Sequence, residues 1–240
     1  MGNTTDNRDV IAEEFCDYCS PKGVGLLHVD DDPNDLAFIK RAMDGVVPSK
    51  LVRFEQFDCP EGLLRHLLLQ RDQFHGLISD IIMPRVDGIK GTAGLYKAMA
   101  NGVVDEGEFP TPRELEDYLE GADEGSRVAS VDFKTLFYSN GVRDSGMLNR
   151  LAVQMDRNPN ILGVVSKTVN RSVPVRLLLQ VLTCRGEVSR AAMAQIEKHT
   201  RNFFEAEHSI ASLPSRFREG FRGKVELVDC SGGLEGVAEM

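Results

Sequence analysis

The chain has 240 residues, of which 42% are hydrophobic and 27% charged, with a formal net charge of −9. That length suits one large domain, or one domain with an appendage, and the apolar fraction is enough to build a core. No run of 18 apolar residues occurs, so no membrane-spanning helix is expected, and the acidic balance weighs against a nucleic-acid partner.

Residues 1–22 read as a flexible leader. Its first twenty residues are polar and acidic, unlike a secretory signal, so the expected location is cytoplasmic. Five scattered cysteines do not suggest a disulfide framework, and Cys16 and Cys19 form an unpaired CxxC with no second half. A first strand is expected over 23–30, ending in Asp30-Asp31-Asp32-Pro33. Adjacent carboxylates repel; each close pair costs on the order of 4 kcal/mol at an effective dielectric near 20. Asp32 has a local use as the N-cap of a helix whose first position is Pro33. Asp30 and Asp31 have none. The helix is expected to run to about Asp44, followed by a strand from Leu51 to Phe57. A second helix starts at Asp58-Cys59-Pro60 and carries Leu63, Leu64, Leu67 and Leu68 at helical spacing.

A third strand is expected over 76–82. Within it stands a lone carboxylate, Asp80, followed by Ile81-Ile82-Met83-Pro84 and by Asp87-Gly88, which opens a helix over 88–100. Parallel α/β sheets place their chemistry at the carboxyl ends of strands. If the first and third strands are neighbours, Asp30, Asp31 and Asp80 meet in one pocket. Three carboxylates there call for a hard divalent cation with oxygen ligands, a description that fits Mg²⁺.

The pair V-D-D-D-P and S-D-I-I-M-P-R-V-D-G resembles the receiver domain of bacterial two-component response regulators. Residues 80–88 match that family's D-x-x-M-P-x-x-D-G pattern throughout. The resemblance implies a flavodoxin-like (CheY-like) doubly wound five-stranded parallel sheet over residues 23–185. It implies that Asp80 accepts a phosphoryl group from a phosphohistidine on a sensor histidine kinase or histidine phosphotransfer protein. Mg²⁺ would be held by Asp30, Asp31, Asp80 and the backbone carbonyl of Ile82. The output would be contact with a downstream protein, so the chain is expected to be a signalling protein and not an enzyme.

Past residue 102 the sequence departs from a plain receiver. Residues 103–131 read as an insertion with nine acidic and two basic residues, and Thr111-Pro112-Arg113-Glu114 is a capping box that starts a short helix. It is either a solvated surface helix or a docking surface for a basic partner. The delayed fourth strand, 135–138, ends in Ser139. A helix over 144–156 follows, then a fifth strand, 161–165, running into Ser166-Lys167, and a fifth helix from Ser172. The resemblance assigns Ser139 and Lys167 to the phosphoryl group, which carries roughly −1.5 to −2 charge and three acceptor oxygens. Three positions differ from the family pattern: Thr168 stands where a proline follows the lysine, Asn140 where Ala or Gly follows the hydroxyl, and Val164 where many receivers carry an aromatic residue. Ile82 cannot orient a hydrolytic water, so slow loss of the phosphoryl group is expected.

Residues 186–240 read as a helical extension, with one helix over 187–211, a break at Leu213-Pro214, a short basic stretch from Ser215 to Lys224 and a short strand from Lys224 to Asp229. With seven basic and nine acidic residues it carries no output motif. Packing on the receiver and self-association as a homodimer are the two roles open to it. Two competing readings remain. One is a pseudo-receiver that keeps the fold without being phosphorylated, a reading that Thr168 and Asn140 leave open. The other is a haloacid-dehalogenase-like phosphatase with Asp30 as nucleophile, which lacks that family's usual Thr at Asn34 and leaves the motif at Asp80 unexplained.

Overall fold

The computed structural model describes residues 23–46, 52–70, 73–101, 113, 119, 133–142, 144–206 and 213–218. The leader with Cys16 and Cys19, the expected strand 224–229, and the insertion apart from Arg113 and Leu119 lie outside the described residues.

Strands and helices alternate: β1 (Val24–Val29), α1 (Pro33–Val46), β2 (Val52–Phe57), α2 (Pro60–Gln70), β3 (Gly76–Ser79), α3 (Gly88–Asn101), β4 (Lys134–Ser139), α4 (Ser145–Arg157), β5 (Ile161–Ser166), α5 (Ser172–Thr183) and α6 (Gly186–Ala206). All five strands are parallel, in the order β2-β1-β3-β4-β5. This is the doubly wound, flavodoxin-like sheet. The strand order reverses beside β1, which opens a crevice at the carboxyl ends of β1 and β3.

Alternating side chains on each strand feed two apolar layers. Leu27 and Val29 of β1 pack with α2, α3 and α4 through Leu63, Leu64, Leu67, Tyr96, Leu148 and Leu151. Val24 and Leu26 pack on the other face with α1 and α5 through Ile39, Met43, Val175 and Leu178. Each such side chain contributes about 1.5–3 kcal/mol by leaving water. Leu119, in the insertion, is also buried in the first layer.

The strand at 76–82 is shorter than its apolar run predicts: β3 stops at Ser79. The Asp80 carboxylate accepts the N–H of Ile81 at 2.6 Å, which turns the chain out of the sheet one residue later. Asp32 does cap α1, accepting the N–H of Asn34 at 2.8 Å.

β5 is one of the two edge strands of the sheet, and α6 packs against it. Gly163 is what lets it approach: a Cβ there would lie 2.3 Å from Thr200 Oγ1 and 2.6 Å from Ile196 Cγ2. Thr200 Oγ1 accepts the outward N–H of Val164 at 3.0 Å, and the guanidinium of Arg216 donates to the carbonyl of Ile161. Edge groups that would otherwise template another chain are thereby paired. Phe203, Phe204, Leu213 and Phe217 join the α2–α4 layer while Ala192 and Ile196 join the α1–α5 layer, so the segment straddles the edge. Ser215 fastens its end by donating to the Asp156 carboxylate through its N–H at 3.0 Å and its hydroxyl at 2.9 Å.

Candidate functional site

Register decides what meets at the crevice. The N–H of Asp80 donates to the carbonyl of Val29 at 2.9 Å, and that of Asp30 to the carbonyl of Phe57 at 3.1 Å. Asp30 and Asp80 therefore leave adjacent strands side by side. Asp31 follows, exposed to solvent. One carboxylate oxygen from each of Asp30, Asp31 and Asp80 falls within 4.8 Å of the others. On the next pair of strands, the N–H of Lys167 donates to the carbonyl of Ser139 at 2.9 Å, so both residues reach the same edge. All five side chains singled out in the sequence are brought together. Ile82, expected to contribute its carbonyl, lies in the loop beyond Asp80 with half of its surface exposed.

Lys167 stands at the centre. Its Nζ lies 2.7 Å from Asp30 Oδ2, 2.8 Å from Asp80 Oδ2 and 2.8 Å from Asp35 Oδ2. Burial disfavours the ammonium, but the charge of Asp80 and hydrogen bonds to the three carboxylates more than reverse this, so its pKa is raised. The two buried acids shift in opposite directions. Burial raises the pKa of Asp80, and Lys167 only partly offsets it. Burial also opposes ionisation of Asp30, but the facing His28 ring, the Lys167 ammonium and the N–H of Asp32 outweigh it and hold the pKa low. His28 is fully buried, with Nε2 3.8 Å from Asp30 Oδ2. The Gln56 amide nitrogen lies 3.0 Å from its Nδ1 and can only donate there, which leaves the neutral ring's proton on Nε2, facing Asp30.

The loop from Asp80 to Gly88 is rigidly tied. Ser79 Oγ donates to the Asp80 carbonyl at 2.9 Å, and the N–H of Gly88 donates to the Ile81 carbonyl at 2.9 Å. Gly88 packs so close to Asp80 that a Cβ would lie 1.7 Å from the Asp80 carbonyl oxygen, which is the physical reason for the glycine in the motif. Arg85 adopts the left-handed region at φ 65°. Asp87 accepts the N–H of Lys90 at 2.9 Å, capping α3, and takes the Arg150 guanidinium of α4 at 3.0 Å. Where the family pattern places a proline, the hydroxyls of Ser166 and Thr168 pair at 2.9 Å and close the loop after β5.

The donor set fits a hard divalent cation: oxygen ligands only, from three carboxylates at one solvent-reaching edge. The Ser139 hydroxyl is buried and makes no well-formed hydrogen bond, so it is free to meet an added oxygen. Sequence reasoning missed Asp35, Arg150 and Arg171. The one signal of Asp35 in the sequence is its place three residues after the cap Asp32, on the turn nearest the strand end. Nothing local marks Arg150 or Arg171, whose partners lie 63 and 136 positions away in the chain.

No protein-family model matches the sequence, and no curated protein matches it. Solved structures it resembles include response regulators and receiver domains. Response regulator DrrB of Thermotoga maritima, an OmpR/PhoB homologue, is 14% identical with a TM-score of 0.40, over 67% of this chain and 52% of that one. The chain thus spans about half the length of DrrB. The isolated REC domain of RcsB from Salmonella enterica serovar Typhimurium, in the presence of phosphomimetic BeF3⁻, is 16% identical with a TM-score of 0.41, over 71% and 98% of the two chains. The receiver domain of Saccharomyces cerevisiae Ssk1, crystallised with the histidine phosphotransfer protein Ypd1, belongs to a match at 10% identity and a TM-score of 0.42, over 68% and 90%. At these TM-scores the likeness adds nothing to the site, whose reading rests on its own residues.

Proposed function

We propose that the chain is a phosphoacceptor of a two-component relay, with Asp80 as the modified residue. The observation that carries this is the convergence of Asp30, Asp31, Asp80, Ser139 and Lys167 from the ends of four strands, with Lys167 Nζ 2.8 Å from Asp80 Oδ2. In the transfer, a carboxylate oxygen of Asp80 forms a bond to phosphorus as the nitrogen–phosphorus bond of a phosphohistidine breaks. The imidazole nitrogen leaves with that electron pair. Such a reaction is governed by positioning and charge stabilisation. Asp30, Asp31, Asp80 and the carbonyl of Ile82 would hold Mg²⁺, which supplies neutralisation of phosphoryl charge when bound. Lys167 holds Asp80 in place and offers its ammonium to a phosphoryl oxygen, and the unengaged hydroxyl of Ser139 takes another. The donor is a histidine kinase or histidine phosphotransfer protein, and the output is protein contact by a cytoplasmic protein.

Asp30 is a poorer nucleophile for the phosphatase reading, because its side chain has no exposed surface whereas that of Asp80 reaches solvent. The test is intact-mass spectrometry after incubation with Mg²⁺ and acetyl phosphate. The expected outcome is a single phosphoryl adduct on the wild type and none on Asp80→Asn. Equal labelling of the two would discard the assignment, and absence of label on a folded wild type would favour the pseudo-receiver.

A further inference from the structure

Three carboxylates share the Lys167 ammonium: Nζ donates to Asp80 Oδ2 at 2.8 Å and is ion-paired with Asp30 at 2.7 Å and Asp35 at 2.8 Å. An anion added at Asp80 brings new acceptor oxygens that compete with these carboxylates for the same charge. Asp80 carries the anion, and Asp30 is fully buried with Lys167 as its full-time cation. Asp35 alone of the three has a second permanent cation. Its other oxygen, Oδ1, lies 3.8 Å from Arg171 Nε. That guanidinium is 44% exposed and stacked over the Phe38 ring of α1 at 3.9 Å, which holds it beside Asp35. Beside them the Tyr138 hydroxyl is buried with no hydrogen-bond partner among the described residues; burial raises its pKa to about 12, and it lies in the field of Arg171, Asp35 and Lys167. It is a spare donor for a carboxylate that turns from Lys167.

We propose that Asp35 is a positioning residue for Lys167, holding the ammonium while Asp80 is unmodified and passing to Arg171 when an anion occupies Asp80. The inference rests on the reading of Asp80 as phosphoacceptor and adds what the lysine must leave. It also places a readout of the site between α1, which carries Asp35 and Phe38, and the loop from β5 to α5, which carries Lys167 and Arg171.

The experiment is titration of the full chain with beryllofluoride and Mg²⁺, followed by ¹⁹F NMR, on wild type, Asp35→Asn, Arg171→Gln and the double variant. Asp35→Asn removes one of the charges competing for Lys167 and is expected to tighten binding about 5-fold or more, the ordinary range of coupling between two sites. Arg171→Gln removes the alternative partner and is expected to weaken it by a similar factor. The double variant is expected to behave as Asp35→Asn, because Arg171 acts through Asp35. Unchanged or weaker binding by Asp35→Asn overturns the proposal. So does an Arg171→Gln loss that is as large without Asp35 as with it, since the guanidinium would then act by its charge alone. Arg171 is exposed enough for its variant to fold, and an unchanged affinity there overturns the proposal even if Asp35→Asn is unstable. Wild-type binding that survives Asp80→Asn instead removes the reading of Asp80, and the proposal with it.

Discussion

Thr200→Val tests how α6 is held on the sheet. The two side chains have nearly the same shape, so the exchange swaps a hydroxyl for a methyl in a site with no exposed surface. Thr200 Oγ1 accepts the N–H of Val164 at 3.0 Å and donates to the Ile196 carbonyl at 2.8 Å. Valine offers neither. The Ile196 carbonyl has its place in the helix, but the Val164 N–H is left facing a methyl in a buried contact. An orphaned buried donor costs about 1–3 kcal/mol, so a loss near 2 kcal/mol is expected. Thr200→Ser keeps the acceptor and loses one methyl group, about 0.8 kcal/mol. The order is diagnostic, since apolar burial alone would rank valine above serine. Urea unfolding followed by circular dichroism reads both variants; with a slope of about 2 kcal/mol per M, valine moves the midpoint down by about 1 M. A valine variant within about 0.5 kcal/mol of wild type, the range of ordinary surface changes, would refute the view that Thr200 seals the edge of β5.

Two carboxylates of the site should show opposite signs in metal-free buffer. The pKa of Asp80 is raised by burial, so its ionised form destabilises the fold above that pKa and the cost is relieved as pH falls through it. Asp80→Asn is therefore expected to raise the urea midpoint at pH 7 in chelator, with the gain vanishing on acidification; a lowered midpoint at pH 7 contradicts this. Asp30 is held below its ordinary pKa despite burial, chiefly by His28 and Lys167, so its stabilisation is present above the ordinary carboxylate pKa and lost as pH falls through the depressed one. Asp30→Asn is expected to lower the midpoint at pH 7, and a gain like that of Asp80→Asn would show that His28 and Lys167 do not decide its charge. Gly88→Ala sets a Cβ against the Asp80 carbonyl oxygen at 1.7 Å, a clash that only rebuilding of the loop relieves. It is expected to cost about 3 kcal/mol, the upper end for overpacking, and to abolish the acetyl phosphate adduct; normal labelling would mean that the loop tolerates the shift.

The core of the site was legible because its chemistry is written at strand ends. Asp30, Asp80, Ser139 and Lys167 each follow an apolar run within one residue, and in a parallel sheet that alone brings them to one edge. Asp35 was not legible for the same reason that it matters. Its carboxylate is matched to an ammonium 132 positions away, and a first-turn acid already has a local account in the helix dipole. The end of β3 was misjudged because Ile81 and Ile82 continue the apolar pattern, while the turn is made by the Asp80 side chain, which an alternation rule does not weigh. For α6 the sequence shows a helical period at Ala192, Ile196 and Phe203, yet not that Gly163 is its landing point, since an isolated glycine in a strand is compatible with a bulge as readily as with close approach.

The placement of α6 has a consequence for how the site communicates. Lys167 is the first residue after β5, and its N–H is bonded to the carbonyl of Ser139 at the end of β4. Three residues earlier on the same strand, Val164 is bonded to Thr200 of α6 at 3.0 Å. A shift of Lys167 toward an anion thus loads a strand whose outer edge is already occupied by the chain's own helix. In an open sheet that load would appear as a change in what the edge can bind. Here Gly163 and Thr200 seat α6 against β5, so the edge responds together with the helix, and Ala192 and Ile196 carry that contact into the layer of α1 and α5. A displacement of Lys167 is therefore felt on the α1–α5 side of the sheet along two routes, directly through Asp35 on α1 and through β5 and α6, whose Ala192 and Ile196 pack in that layer.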